Sequence, residues 1–343
     1  MEKMETEMPN DVFTHRSSIL VDNSIERKSY KTFIPQNKAD FNNVNSTIEI
    51  DIPASDSYFV PSKSFLKIKG RLVRNDNDNR YDANAQIALI NNALMYLFSS
   101  IEYSLGGVTM ETLRYPGHTT SMLGYLSYPD DFNTSAGLNQ CWRKDTNVNA
   151  IATEYQPSPQ TPADAAIAAG RFTPQRNPNY NEGFAIRRRL LLDNDTPGEF
   201  CFNIPFSHIF GFAEYNKVLY NLRHTLKFTR ANDNMSIHRL NNDVDAGKIL
   251  LTDIKWVIPQ IKPSIEMRTT LLKNVKNKIE IPINFSARND QHTIVTQEVQ
   301  DYEWPINVSS GIEKPRWIIV GFQNNKIGTQ EQNPAVFDHV NLT

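Results

Sequence analysis

Cysteine is nearly missing from the sequence: Cys141 and Cys201 are the whole supply in 343 residues, far apart and outside any metal-ligand spacing. Two such thiols in a chain without an export signal read as free, which excludes a disulfide scaffold and a cysteine-held zinc centre. No export signal is expected either. Met1 to Phe13 carries Glu2, Glu5, Glu7 and Asp11 and lacks the apolar core of roughly 7–15 residues that secretion needs. No later stretch approaches the ~20 apolar residues of a membrane-spanning helix, so the chain is expected to stay in the cytosol or nucleus where it is made. An excess of one charge is missing too, since 36 Lys and Arg face 38 Asp and Glu, a formal net charge of −2. No long-range field draws such a chain onto nucleic acid or an anionic membrane, and any contact with a polyanion has to be local.

The signatures of chemistry are also absent. There is no glycine-rich phosphate loop, no H-E-x-x-H, no paired C-x-x-C and no G-x-S-x-G. The seven histidines, at 15, 118, 208, 224, 238, 292 and 339, stand singly. His208, beside Phe206 and Phe210, and His224, alternating with Leu222 and Leu226, read as satisfied core histidines, because neither has a partner in reach that defines a triad. No catalytic, cofactor-binding or metal-ligating residue is assigned, and the chain is not expected to be an enzyme. The sequons at Asn133 and Asn307 are read as chance in an Asn-rich chain.

What the sequence does contain is material for a core: 39% hydrophobic residues, with 18 Phe, 13 Tyr and 4 Trp. Each buried aromatic removes roughly 150–250 Å² from water, and the length favours two core-forming units over one. Residues 1–30 are polar and aperiodic, an arm that orders on a partner if at all. Beyond them, apolar and polar residues alternate with period two. Ile48, Ile50 and Ile52 do so, then Leu66, Ile68 and Leu72 against Lys67, Lys69 and Arg71, which predicts strands with one dry and one wet face. Further strands are expected at Ile101–Leu105, stopped by Gly106-Gly107, at Phe200–Phe206, Leu222–Phe228 and Leu250–Ile258, at Ile279, Ile281, Ile283 and Phe285, and at Trp317–Val320. Short runs bounded by Asn, Asp, Gly or Pro fit antiparallel sandwiches better than βαβ units.

Helical spacing is rare. Ile87, Ile90, Leu94 and Phe98 suggest a helix over 87–98, and Pro263-Ser264 ahead of Leu271, Leu272 and Val275 predicts a connecting helix over 263–276. Five prolines and an Ala-rich centre mark 155–180 as a long loop. Arg187-Arg188-Arg189 is the one dense basic run and reads as the charged edge of a strand entering at Leu190-Leu191-Leu192. Trp256, Trp304 and Trp317 read as core, since no basic residues interleave with them as single-strand binding requires.

Three stretches carry a resemblance. Ile90-Asn91-Asn92-Ala93 through Leu105-Gly106-Gly107 comes first, and Phe202-Asn203-Ile204-Pro205-Phe206-Ser207-His208-Ile209-Phe210-Gly211-Phe212-Ala213-Glu214 second. The third is Lys314-Pro315-Arg316-Trp317 to Gln323 together with Phe337-Asp338-His339 to Leu342. In this order they resemble the double jelly-roll major capsid proteins of polinton- and adintovirus-like, virophage-like DNA viruses. The second block departs from the family pattern where Tyr215 stands in place of a further acidic residue. The resemblance implies an all-β double jelly roll, two antiparallel β-sandwiches side by side. It divides the chain into an arm over 1–30, a first roll over 31–262, a connecting helix over 263–276 and the start of a second roll over 277–343, whose remaining strands the family places further downstream. It also implies a structural capsid protein that forms homotrimers tiling an icosahedral shell. Its partners would be copies of itself, neighbouring capsomers, and penton and minor capsid proteins, with no specific nucleic-acid site. Its place would be the virion, after synthesis in the host cytoplasm or nucleus. The rival reading from the residues is a soluble jelly-roll module that binds a ligand such as carbohydrate.

Overall fold

The computed structural model describes residues 23–37, 41–146, 181–239, 244–295, 303–305, 315–324, 326 and 328–338. The loop expected at 155–180 and most of the N-terminal arm lie outside these residues. Where the arm was expected to extend to residue 30, a strand already starts at Ile25.

Twelve strands among the described residues form antiparallel ladders. The spine is β12 (Gly247–Pro263), a strand of 17 residues. Along one of its edges run β4 (Phe65–Arg74) and then β3 (Tyr58–Phe59), and along the other β1 (Ile25–Phe33). β8 (Glu199–Pro205) and β9 (Leu219–Tyr220) extend this six-stranded sheet at β4 and β3. A second sheet runs β2 (Thr47–Ile52), β10 (His224–Arg230), β6 (Phe98–Leu105) and β7 (Val108–Leu113). A small pair joins β5 (Ile87–Leu89) to β11 (Ile237–Arg239). The β6–β7 hairpin closes on Gly106 and Gly107, both at positive φ, which matches the twist of the flanking strands at no steric cost.

The two sheets face each other across the dry sides of their alternating strands. Ile48, Ile50 and Ile52 on β2 are buried, as are Leu66, Ile68 and Leu72 on β4, and each such side chain contributes about 1.5–3 kcal/mol by leaving water. Aromatic rings span the gap: Tyr103 on β6 meets Trp256 on β12 edge to face at 6.2 Å, and Phe59 on β3 meets His224 on β10 at 5.8 Å. Trp256 also donates its indole N–H to Ser64 Oγ at 2.9 Å, so the polar end of this large buried side chain is satisfied.

Two expectations fail here. The helix expected over 87–98 is a strand, β5, followed by a helix of only four residues, α1 (Ala93–Tyr96). Residues 87–98 are buried on every side, so their periodicity carried no information about type. The Arg187–Arg189 run is likewise not a strand edge but part of α3 (Glu182–Leu192), capped by Asn181, whose side chain accepts the Phe184 amide N–H. Two unforecast helices complete the roll, α2 (Pro116–Ser127) and the four-residue α4 (Phe206–Ile209).

A helix does lie within the expected span 263–276. α5 (Ile265–Lys276) begins at Ser264, whose hydroxyl accepts the Met267 amide at 3.3 Å. None of its residues is buried. After it, the described residues carry no ladder, and the strands expected at 279–285 and 317–320 run without regular secondary structure. A strand needs a neighbour to hold its N–H and C=O groups, and among the described residues these segments have none beside them.

Candidate assembly surface

The C-terminal segment is fastened to the first sandwich by a polar strap built around Glu111 and Arg288. Glu111, on β7, points inward beside Leu113 and is almost fully buried. Its carboxylate accepts the amides of Gly211 at 3.1 Å, Phe212 at 3.0 Å and Arg288 at 3.0 Å. Burial pushes its pKa up, against the pull of those three amides and the Arg288 charge. The Arg288 guanidinium in turn donates to the carbonyls of Ser207, His208 and Ile209. Glu214 accepts the Ser286 amide, Phe285 packs edge-on against Phe212 at 5.0 Å, and Asp290 accepts the amides of Arg114 and Tyr115 and the Thr119 hydroxyl. Further along, Gln323 meets His118 at 3.1 Å, and the Tyr96 and Tyr125 hydroxyls donate to the carbonyls of Pro334 and Ala335. Sequence reasoning missed the strap; its one available signal was a carboxylate at a core-facing position of a strand.

His208 sits beneath this strap as a structural residue. The Asn92 amide donates to Thr120 and Ser121, so its oxygen accepts from His208 Nε2 at 2.9 Å. That leaves Nδ1 to accept the Tyr128 hydroxyl at 2.7 Å, and the network fixes the neutral tautomer. Burial drives the pKa of His208 down to about 3. His224 bonds Tyr103 at 2.9 Å and is likewise driven down, to about 4, by burial. Both are packed in the core; His208 has both ring nitrogens bonded, as expected, whereas His224 Nε2 is buried without a hydrogen-bond partner among the described residues. Arg187 is buried against Asp145 at 2.7 Å and bonds the carbonyls of Leu89 and Arg143, and Arg188 bonds the Ala83 carbonyl. Two members of the basic run therefore hold the fold together through backbone carbonyls. Both cysteines are free, Cys141 buried and Cys201 exposed. Among the described residues no group of three or more His, Cys, Asp or Glu side chains comes together as a metal site, and no helix is long and apolar enough to cross a membrane.

Apolar side chains are exposed on α5 and in the segments after it. Ile265 on α5 is 84% exposed, Ile281 66% and Trp317 81%, with Val275, Ile279, Ile294, Ile318 and Val320 also open to solvent. Trp317 was expected in the core and is not there; Trp256 is.

Residues 173–343, about half of the chain, match the family model described as "Double jelly roll-like domain". The chain belongs to the double jelly roll-like family. The match takes in α3, the second half of the described sandwich and the whole segment beyond α5, so the double jelly roll-like region joins buried ladders to the exposed runs. Solved structures similar to this double jelly-roll chain include a chain of the Sputnik virophage determined by cryo-EM (TM-score 0.47, 10% identity, covering 77% of this chain and 53% of that one). The Faustovirus major capsid protein (0.45, 9%, 76% and 58%) and the mavirus major capsid protein (0.40, 13%, 78% and 54%) are also similar. The chain spans just over half the length of these proteins. No curated protein matches it.

Proposed function

We propose that this double jelly-roll chain is a structural viral capsid subunit that packs against copies of itself, with trimers tiling an icosahedral shell, and that it performs no catalysis. The observation that carries the reading is the apolar surface of α5, Ile279–Ile283 and Trp317–Val320, which a free subunit leaves in water. Residues 277–343 are read as the opening strands of a second sandwich, held at one end by the Glu111–Arg288 strap and waiting for ladder partners. A closed symmetric assembly uses one patch on every copy, which suits a molecule with sheet faces and long connections. In this reading the protein is a virion component made in the host cytoplasm or nucleus, in contact with neighbouring capsomers and with penton and minor capsid proteins.

Light scattering on size-separated full chain, followed by negative-stain imaging, tests it. Trimers or larger shells that dissociate on dilution are the expected result. A monomer at every concentration overturns the reading and favours a ligand-binding jelly-roll module.

A further inference from the structure

β1 is an edge strand with one open side. Pro259, opposite Tyr30 in the ladder, gives its carbonyl to the Val60 amide at 3.0 Å on the far edge of β12. Opposed residues of an antiparallel pair turn their backbone groups toward each other or away together. Tyr30 therefore turns its N–H and C=O away from β12, as do Lys28 and Thr32 on either side of it. Among the described residues these groups have no hydrogen-bond partner. The open edge runs from Arg27 to Phe33, about 20 Å, and ends at the register shift beside Glu26. The stretch of β12 that β1 leaves uncovered is treated differently: Gln330 accepts the amide of Gly247, Asp233 that of Ile249 and Asn42 that of Leu251. Side chains cap that edge, and none caps β1.

The side chains on this edge select what can fill it. Arg27, Lys28 and Lys31 are exposed and form no ion pair among the described residues, while the one acid of the strand, Glu26, is held by Lys262 at 2.7 Å. Lys28 lies over the Tyr30 ring at 5.7 Å on one face of the strand, and Arg27 and Lys31 stand on the other. The β1 strand of a second copy would bring three more unpaired cations into the same ladder, where like charges repel. Lysines on an edge guard against such pairing. They admit a strand of the opposite charge, with carboxylates on both faces beside Arg27, Lys28 and Lys31. A nucleic acid supplies the charge but no row of amide groups to complete the ladder. We propose that β1 is a docking edge for an acidic, extended strand of another protein, held by backbone pairing at Lys28, Tyr30 and Thr32 and selected by its carboxylates.

A synthetic strand, acetyl-Val-Thr-Glu-Val-Thr-Glu-Glu-amide, tests this, since run antiparallel to β1 it sets its Glu residues opposite Lys31, Lys28 and Arg27. Binding of the fluorescent peptide to the full-length chain is read by anisotropy, and its position by amide hydrogen exchange. The expected result is binding with slowed exchange over residues 27–33, weakened several-fold at 1 M salt, where screening acts within about 3 Å. N-methylating the peptide residues opposite Lys28 and Tyr30 removes two ladder bonds and should cost about tenfold in affinity. N-methylating those opposite Arg27 and Ser29, whose N–H groups point away, should leave binding unchanged. The double variant K28E/K31E should release this peptide and bind its Lys-for-Glu counterpart, while its melting temperature, the control for folding, stays that of the parent. Equal binding of the two N-methylated peptides overturns the proposal, because charge alone is then at work. So does absence of binding, or of protection over 27–33. Slow exchange at Lys28, Tyr30 and Thr32 before any peptide is added overturns it as well, because the chain or its copies then already fill the edge. None of these outcomes depends on whether the chain assembles into shells.

Discussion

Trp256 and Trp317 belong to one chain and meet opposite surroundings. The first stands between two sheets, touching Tyr103, Phe206 and His224 with its N–H on Ser64, and the second is four-fifths exposed in an extended run without a ladder. Both lie in segments rich in Ile and Val. The difference is the neighbours: β12 has strands along both edges, whereas residues 315–323 have none among the described residues. Apolar content makes burial favourable, but partner strands make it possible, because the backbone groups of a strand must be paired before its side chains can be dried.

The sharpest way to break this contrast is at the core. Trp256→Ala should destabilise the sandwich by about 3–5 kcal/mol through the cavity it leaves, measured by urea unfolding. Arg288→Ala should cost less, about 1.5–3 kcal/mol, by leaving the carbonyls of residues 207–209 without their charged donor. Its clearer signature is protease cleavage near 286–295 while the rest of the roll stays resistant.

Acid should blur the two regions by loosening the roll itself. His208 and His118 are held neutral by burial, with pKa values driven down to about 3 and about 4, while in the unfolded chain they take up protons near 6.5. The unfolded state therefore binds more protons throughout that window. Stability is full above about pH 6.5 and declines as pH falls toward those folded values. Glu111 acts in the opposite sense at the acid end, because burial raises its pKa. Chemical unfolding between pH 4 and 7 should show the decline, and His208→Gln should flatten it. The smallest effect on the folded subunit is at the other tryptophan. Trp317→Ser should shift unfolding by no more than about 0.5 kcal/mol yet weaken self-association in light scattering.

The sequence disclosed those elements whose two faces differ. β2, β4, β8 and β10 each have one dry and one wet side, so alternation located them. α5 was legible from Ser264 as its cap. Where a segment is buried all round, as from Ile87 to Leu97, no period survives, and strand was mistaken for helix. α2 escaped notice because Gly117, Thr119, Thr120 and Gly124 are poor helix formers held by tertiary contacts: a side chain at Gly124 would strike Trp142. The buried role of Arg187 was hidden because its acceptors are carbonyls and one aspartate brought in from distant segments. The strap escaped for the same reason, since Glu111 and Arg288 are joined by the fold and not by spacing.

β12 leads into α5 with only Ser264 between them. At about 3.3 Å per residue it measures roughly 55 Å, with one register shift between Leu251 and Asp253, and it is clamped by β4 near its start and by β1 and β3 near its end. A pull applied to α5 is therefore a shear load, shared by many ladder bonds in parallel instead of unzipping them one at a time. Any neighbour that grips the connecting helix is anchored mechanically to the whole sandwich.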